Sequence, residues 1–356
     1  MPITEYRYRT NSDLSQQLAL DYSVLTDLCA IAALSAEWDE LLARSRCNRA
    51  FSCSKWYLAT PYLLPHLEPL VLVARRCGRI AAILPLWLDI HKKQAGFPDD
   101  YSDHLDIIAA DEDTDVSVGL LNFAIRQKQH CDKLSLKHIK PDSNCARAAR
   151  RLGLFREEAF APGKSLPYAV IDLTGGYDNY LGTLSRPFRR QLKRLCGKAQ
   201  KENIRVLELK PESFSPQSLP EIFLRLHESR FGAGTSLTLV CKSPEKWIYS
   251  LFPELFMEQR MRVFVIEIED LIAGIDLEMV TRSGMYSWNG GFLPEIQQYH
   301  PGKLLIHKAI EQCCLEGSTE YDLGWFGQEY KSQWRPGIRQ IGELQLHTGF
   351  QQKDEP

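Results

Sequence analysis

The sequence predicts an α/β protein of the α+β, mixed-sheet kind, with crossover helices and two modules. Three observations carry this. At 356 residues and 40.8 kDa, the chain exceeds the usual size of one hydrophobic core. From Ile204 onward its periodicities read β-α-α-β-β-β-α-β-α-β, an order hard to reconcile with a barrel or a helical bundle. No G-x-G-x-x-G follows the first strand of that half, so the dinucleotide-binding fold is set aside.

Hydrophobic residues at 44% and charged residues at 25% place the chain among ordinary globular proteins. A formal charge of −2 supplies no global field for nucleic acid, and only local basic patches remain to be considered. The start, Met-Pro-Ile-Thr-Glu-Tyr-Arg, lacks the basic flank and apolar run of a signal peptide, and no apolar run reaches membrane-spanning length. The expectation is a cytoplasmic protein with no membrane insertion. Its 10 cysteines form no C-x-x-C pair, so free thiols are expected rather than a zinc site.

In the first half, residues 31–46 read as a helix with Leu34, Trp38 and Leu41 on one face. Ser52 is placed to cap a short helix carrying Trp56 and Tyr57. Residues 70–74 and 80–88, around Cys77-Gly78, read as a hairpin in which Pro85 marks a bulge or an edge. Asp99, Asp100, Asp103, His104 and Asp106 read as a solvated loop rather than a metal cluster. A helix over 116–129, a strand over 133–138, a helix over 142–154 capped by Asp142 or Ser143, and a strand over 166–173 complete this half.

In the second half, residues 177–201 are the most basic part of the chain. Arg186, Arg189, Arg190, Lys193, Arg194, Lys198 and Lys201 share a helix whose apolar positions include Phe188 and Leu192. Pro187 fits its first turn if Ser185 caps it. The helix reads either as a solvated basic face or as a surface for a phosphorylated donor or anionic acceptor. Strands over 204–209, 262–268, 271–281, 285–290, 319–323 and 340–347 follow, with helices over 218–230, 245–260, 302–316 and 328–334.

Several segments carry a resemblance. They are Arg186-Pro-Phe-Arg-Arg-Gln-Leu-Lys-Arg194, Leu226-His-Glu-Ser-Arg230, Ala273-Gly274, Tyr286-Ser-Trp-Asn-Gly-Gly-Phe292, Tyr299-His-Pro-Gly-Lys-Leu-Leu305, Tyr321-Asp-Leu-Gly324, and Tyr330-Lys331 followed by Trp334. Together they resemble the GNAT (acyl-CoA N-acyltransferase) superfamily, in its two-module FemAB-like or BioF2/CelD-like branch. The resemblance implies tandem GNAT-like modules: a divergent one over 1–174, a catalytic one over 175–350, and a polar tail over 351–356. It also implies acyl transfer from acetyl-CoA or another acyl-CoA to a small-molecule amine or amino sugar, without a metal. His300-Pro301-Gly302-Lys303 stands where the single-domain members keep a phosphate loop with a second glycine. Two alternatives stay open: transfer from an aminoacyl-tRNA, and a non-catalytic binding protein of an envelope or polysaccharide pathway.

Such a transfer needs a neutral amine, a polarised carbonyl and a stabilised leaving thiolate. Asp322 is the leading candidate base, or else a cap for Gly324. Glu278, a carboxylate inside an apolar strand, is the second. Tyr330 is the candidate proton donor. Pro301, Gly302, Lys303, Lys331 and Arg190 are the candidates for holding donor phosphates, with the resemblance giving weight to Lys331. Trp288 and Asn289 are placed to face an acceptor; His227 and Arg230 read first as a salt-bridged helix end and otherwise as part of the acceptor pocket. Oligomeric state is left open.

Overall fold

A computed structural model describes residues 5–6, 20–98, 102–111, 113–232 and 244–349; Asp99, Asp100, Gly234 and Cys241 lie outside them. The chain forms two compact units, residues 1–166 with 340–356, and residues 167–339.

The first unit contains β1 (Glu5–Tyr6), β2 (Leu20–Leu25), α1 (Leu28–Ala32), α2 (Ser35–Ala43), α3 (Ser54–Ala59), β3 (Glu68–Arg76), β4 (Arg79–Asp89), β5 (Gln94–Gly96), β6 (Ile108–Ala109), α4 (Thr114–Ile125), β7 (Lys133–Ile139) and α5 (Asn144–Arg151). The helix expected over 31–46 is interrupted at Ala33 and Leu34, and Cys53 rather than Ser52 caps α3 through Sγ and the Trp56 N–H. Ser52 instead offers its carbonyl to the indole N–H of the fully buried Trp38, at 2.8 Å. The β3–β4 hairpin is present. Pro85 sits between the two stretches where β4 pairs on its other side, Ala82–Ile83 with β6 and Trp87–Asp89 with β5. Its missing N–H therefore falls in a gap of the ladder.

The second unit contains β8 (Leu166–Asp172), α6 (Gly176–Thr183), α7 (Arg186–Lys201), β9 (Arg205–Leu209), α8 (Leu219–Phe231), α9 (Pro244–Met257), β10 (Met261–Ile268), β11 (Leu271–Val280), β12 (Gly284–Phe292), α10 (Pro301–Leu315) and β13 (Glu320–Trp325). Its strand order is β8-β13-β12-β11-β10-β9. The last strand, β14 (Gly337–His347), pairs with β7 from Gly342 to His347. The compact units thus differ from a cut at 174 by two strands: β8 pairs with β13, and residues 340–347 join the first unit. Pairing partner, not chain order, sets the membership.

Why α7 forms is local. Ser185 Oγ accepts the Phe188 N–H, Pro187 sits in the first turn, and Phe188, Leu192, Leu195 and Ala199 form a buried stripe opposite the arginines. With α6 and α10 that stripe covers one face of the sheet, against Phe264, Ile266, Met285, Tyr321 and Leu323. The other face is covered by α8 and α9, whose Phe223, Phe252 and Trp247 rings surround Trp288 at 5.8 to 6.4 Å.

Two features of β12 position the site. Leu277 pairs with Asn289 and Glu278 with Ser287, so Trp288 is an extra residue, a bulge that turns its indole into the aromatic cluster. Gly290 and Gly291, which follow Asn289, are glycines for steric reasons. A Cβ at Gly290 would lie 2.9 Å from Asp276 Oδ1, and one at Gly291 would lie 2.3 Å from the Leu226 carbonyl oxygen. Gly291 lets α8 press on the strand; Gly290 leaves room for a carboxylate.

Gly291→Ala is expected to destabilise the protein by about 1–3 kcal/mol, the usual cost of overpacking a rigid contact. Thermal unfolding followed by circular dichroism checks this, and an unchanged midpoint contradicts the close approach of α8.

Candidate active site

The parallel pairing of β12 with β13 is short. It runs from Gly284 and Glu320 to Tyr286 and Asp322, although β12 continues to Phe292 and β13 to Trp325. Beyond Tyr286 the two strands part. An opening therefore lies between β12 and β13.

Cross-strand partners share a face, so the register places Arg262, Glu278, Ser287, Asp276 and Phe264 together. Tyr321 reaches this group from β13: its hydroxyl donates to Glu278 Oε1 at 2.6 Å, with both residues fully buried. Burial holds Glu278 well above the ordinary carboxylate range, and the nearby Asp276 adds to the rise. Asp276 is half-buried. Desolvation pushes it up to about 7, while the Arg230 guanidinium and the Leu277 N–H pull the other way. Tyr330 feels the same cluster and is pushed up to about 12, through desolvation first and then Asp276. Arg230 lies over the Phe231 and Phe292 rings at 4.5 and 4.9 Å. A half-buried carboxylate titrating near neutrality, a cation and a protonated phenol thus act on one another in the second unit.

Of the residues singled out from sequence, Glu278, Arg230 and Tyr330 are brought together here. Asp322 is not. Successive strand side chains alternate, so Asp322 points to the face opposite Tyr321 and Glu278, where its Oδ1 accepts the Gly324 N–H at 2.8 Å. Gly324 has φ +76°, so Asp322 closes the turn that bends β13, the capping alternative raised for it.

Trp288 is packed in the aromatic cluster rather than facing an acceptor, and Asn289 Oδ1 accepts the N–H of Gly290. His227 is buried against Phe223 and Phe231, and its pKa is lowered to about 4, by burial first and then by Arg230. It is a neutral packing residue at pH 7.

The two helix starts differ from the expectation. At α10, Pro301 has no N–H, and the Lys303 and Leu304 N–H groups both donate to the His300 carbonyl, at 2.9 and 3.3 Å. Among the described residues this leaves the Gly302 N–H as the one first-turn donor with no backbone acceptor. A Cβ at Gly302 would meet open space. Lys303 Nζ donates to Gln191 Oε1 at 3.0 Å and lies 5.3 Å from the Phe188 ring centre. The segment Glu329–Trp334 is a 3-10 helix, not an α-helix start. Lys331 is buried within it, and its Nζ donates to the Trp325 carbonyl at 2.7 Å, so the ammonium ties a loop instead of standing ready for phosphate. Trp334 anchors the same segment, edge-on to Phe188.

A basic pocket of about 480 Å³ lies along α7, lined by Ser185, Pro187, Phe188, Arg190, Gln191, Arg194 and Gln333. No carboxylate lines it. Because Gln191 gives its oxygen to Lys303, its amide N–H groups remain to donate. Among the described residues, no group of three or more His, Cys, Asp or Glu is placed to hold a metal ion, and no helix is long and apolar enough to cross a membrane.

Sequence reading missed Asp276 and Tyr321. The signal for Asp276 was present, since it shares the parity of Glu278 on the same apolar strand. Tyr321 was passed over for its neighbour Asp322, because the pleat direction decides between them.

The comparisons with known proteins agree with this architecture. Residues 186–332 match the family described as Acetyltransferase (GNAT) domain. No curated protein matches the sequence. Among solved structures, FemX superposes with a TM-score of 0.62 at 13% identity, covering 88% of this chain and 96% of its own. L-PGS from Bacillus licheniformis gives 0.54 at 13%, with 89% and 93% covered. The C-terminal domain of a putative lysylphosphatidylglycerol synthetase from Agrobacterium fabrum gives 0.53 at 13%, with 90% and 92% covered. The chain carries a GNAT-type acyltransferase domain, and the protein is an acyltransferase enzyme. More particularly, the GNAT match lies within the second unit, and the chain shares its fold with FemX.

Lys331→Met is expected to lower stability by about 1–3 kcal/mol by leaving the Trp325 carbonyl without its donor. Denaturant unfolding measures this. An unchanged stability paired with weakened anion binding points instead to a free phosphate clamp.

Proposed function

We propose that the second unit transfers an acyl group, acetyl in the simplest case, from a coenzyme A thioester to a primary amine of a small molecule or amino sugar. The observation that carries the reading is Asp276: a half-buried carboxylate beside the parting of β12 and β13, poised near pH 7 and in electrostatic contact with Arg230 and Tyr330. The amine nitrogen attacks the thioester carbonyl carbon, forming the C–N bond. The C–S bond breaks, and the nitrogen's proton passes to Asp276. Arg230 faces the carbonyl oxygen as negative charge develops there. Tyr330, whose phenol keeps its proton, donates a hydrogen bond to the departing sulfur. Phosphates of the carrier sit against Arg190 and Arg194 in the α7 pocket, with Gln191 and Gln333 beside them.

The first unit lacks the same electrostatics. Its α4 begins with Asp113, which accepts the Val116 N–H and pairs with Arg76 at 2.5 Å, and Asp115 follows in the first turn. An acidic helix start disfavours an anion, so one donor site per chain is the expectation.

A second reading, an aminoacyl-tRNA donor, draws on a specific observation. The start of α10 offers a single free N–H where a pyrophosphate cradle needs several, while Arg186, Arg189, Arg190, Lys193 and Arg194 are exposed along α7.

Calorimetric titration with acetyl-CoA separates the two. Saturable binding at one site per chain, weakened at least tenfold in Arg190→Gln/Arg194→Gln, is expected for the first reading. No acetyl-CoA binding, with tRNA retention that falls steeply with salt, establishes the second in its place.

Asp276→Asn is expected to lower kcat by about 10²–10⁴, the usual worth of a general base. Because Asp276 works ionised, kcat/KM of the parent rises with pH to a plateau above about pH 7 and is lost below it. An acid limb that persists unmoved in Asp276→Asn removes Asp276 from the role of base.

A further inference from the structure

Arg230 is the cation of the site. Its guanidinium lies 4.5 Å from the centre of the Phe231 ring and 4.9 Å from that of Phe292, contacts that hold it against ring faces and leave its N–H groups unused. Among the described residues it has no hydrogen-bond or ion-pair partner. Two other arginines of the unit are committed: Arg262 bonds Glu208 and Glu316, and Arg225 donates to the Ile272 carbonyl at 3.0 Å. A guanidinium carries five N–H donors in one planar fork. At Arg230 that fork is exposed at the mouth of the site.

The strand register says where the fork stands. Asp276 pairs with Gly290 and Gly274 with Phe292, so the Asp276 carboxylate and the Phe292 ring lie on one face of neighbouring strands, at diagonal positions that long side chains span. Gly290, opposite Asp276, puts no side chain in the way. Arg230, resting on Phe292, therefore shares the space beyond the seam with Asp276, and the two act on one another without forming an ion pair. A cation and a carboxylate held apart over an opening suit a ligand that carries the opposite charges.

That complementarity discriminates among amines. At neutral pH a primary amine arrives as an ammonium ion, which Asp276 attracts and Arg230 repels, and an acceptor with no negative group of its own meets the repulsion unrelieved. An α-amino acid brings a carboxylate one carbon away from the nitrogen. With the nitrogen beside Asp276, the carboxylate reaches the Arg230 fork, whose planar geometry binds it through two parallel N–H contacts. The remaining N–H groups still face the thioester oxygen that this nitrogen attacks. We propose that Arg230 is a specificity-determining residue: its fork binds the carboxylate of an α-amino acid acceptor whose amino nitrogen stands beside Asp276. This rests on the acyl-transfer reading for what the nitrogen does there, but not for the binding itself.

Two measurements on the full chain test this. The first uses no acyl donor: saturation-transfer NMR on a mixture of the common L-amino acids that carry a single carboxyl group, and on the matching amines that lack it. Binding of one or more amino acids is expected, with the matching amines weaker by about tenfold to a hundredfold, the usual worth of hydrogen bonds to a charged group. Arg230→Gln loses that preference, and Arg230→Lys, which keeps the charge without the fork, retains part of it. Should Arg230→Gln fail to fold, as read from its circular dichroism, Arg230→Lys decides. The second measurement is kcat/KM with acetyl-CoA for the best-binding amino acid and for its matching amine. Their ratio cancels whatever Arg230 does at the thioester oxygen, which is common to both acceptors; a high ratio in the parent, falling toward one in Arg230→Gln, is expected. No binding of any amino acid, equal treatment of amino acid and amine, or a ratio unmoved in Arg230→Gln overturns the proposal. The two readings fail separately. Binding of amino acids through Arg230 with acetyl-CoA left intact removes the coenzyme A donor and keeps the carboxylate site, whereas acetylation of amines without preference keeps the donor and removes the carboxylate site.

Discussion

The short parallel seam between β12 and β13 is the constraint on which the second unit depends. Three residue pairs, ending at Tyr286 and Asp322, hold the two strands together; past them the strands diverge. A parallel pair that stops early leaves main-chain groups and side chains of the inner strands open to a ligand, which a continuous ladder would cover. The residues just beyond the seam are arranged accordingly. The bulge at Trp288 delivers an indole to the aromatic packing under α8 and α9, Gly290 clears the space of the Asp276 carboxylate, and Gly291 admits α8. The turn that Asp322 closes at Gly324 bends β13 beyond its last pair with β12.

The electrostatics grade from the mouth inward. Arg230 and Tyr330 are exposed, Asp276 is half-buried, and Glu278 and Tyr321 are fully enclosed. Desolvation therefore acts with increasing strength along one strand face, and two carboxylates on that face cannot both ionise easily. The outcome is a division of labour. The outer acid is set near neutrality, where a base is most useful, and the inner acid is held well above the ordinary carboxylate range. Arg262 works against the rise at Glu278 while its guanidinium pairs with Glu208 and Glu316.

Several sequence expectations for this region were redirected by packing rather than by chemistry. Lys331 is the right residue type for a phosphate, yet the Trp325 carbonyl captures its ammonium. Trp288 and His227 have polar atoms suited to an acceptor pocket, yet both rings are absorbed by the cluster built on Phe223. Lys303 stands at a helix start but reaches sideways to Gln191, joining α10 to α7. In each case a partner distant in sequence competes for the side chain, and the motif around the residue carries no trace of that partner.

What the sequence determined by itself is the order and kind of elements. Period-two and period-3.6 patterns and the Ser185 cap before Pro187 are local, so most strands and helices of the second unit fall where the pattern puts them. The basic face of α7 was legible for the same reason, and so were Glu278, Tyr330 and Arg230 as unusual residues in their settings. Only the tertiary structure decided the rest. Which way each strand side chain points depends on register, and a one-residue change exchanges Asp322 for Tyr321 at the site. Which strand joins which unit depends on pairing between residues far apart, as β8 and β14 illustrate. Asp276 becomes a candidate base only because burial, a glycine on the next strand and an arginine from another helix meet around it, and such convergence is not a property of any segment of chain.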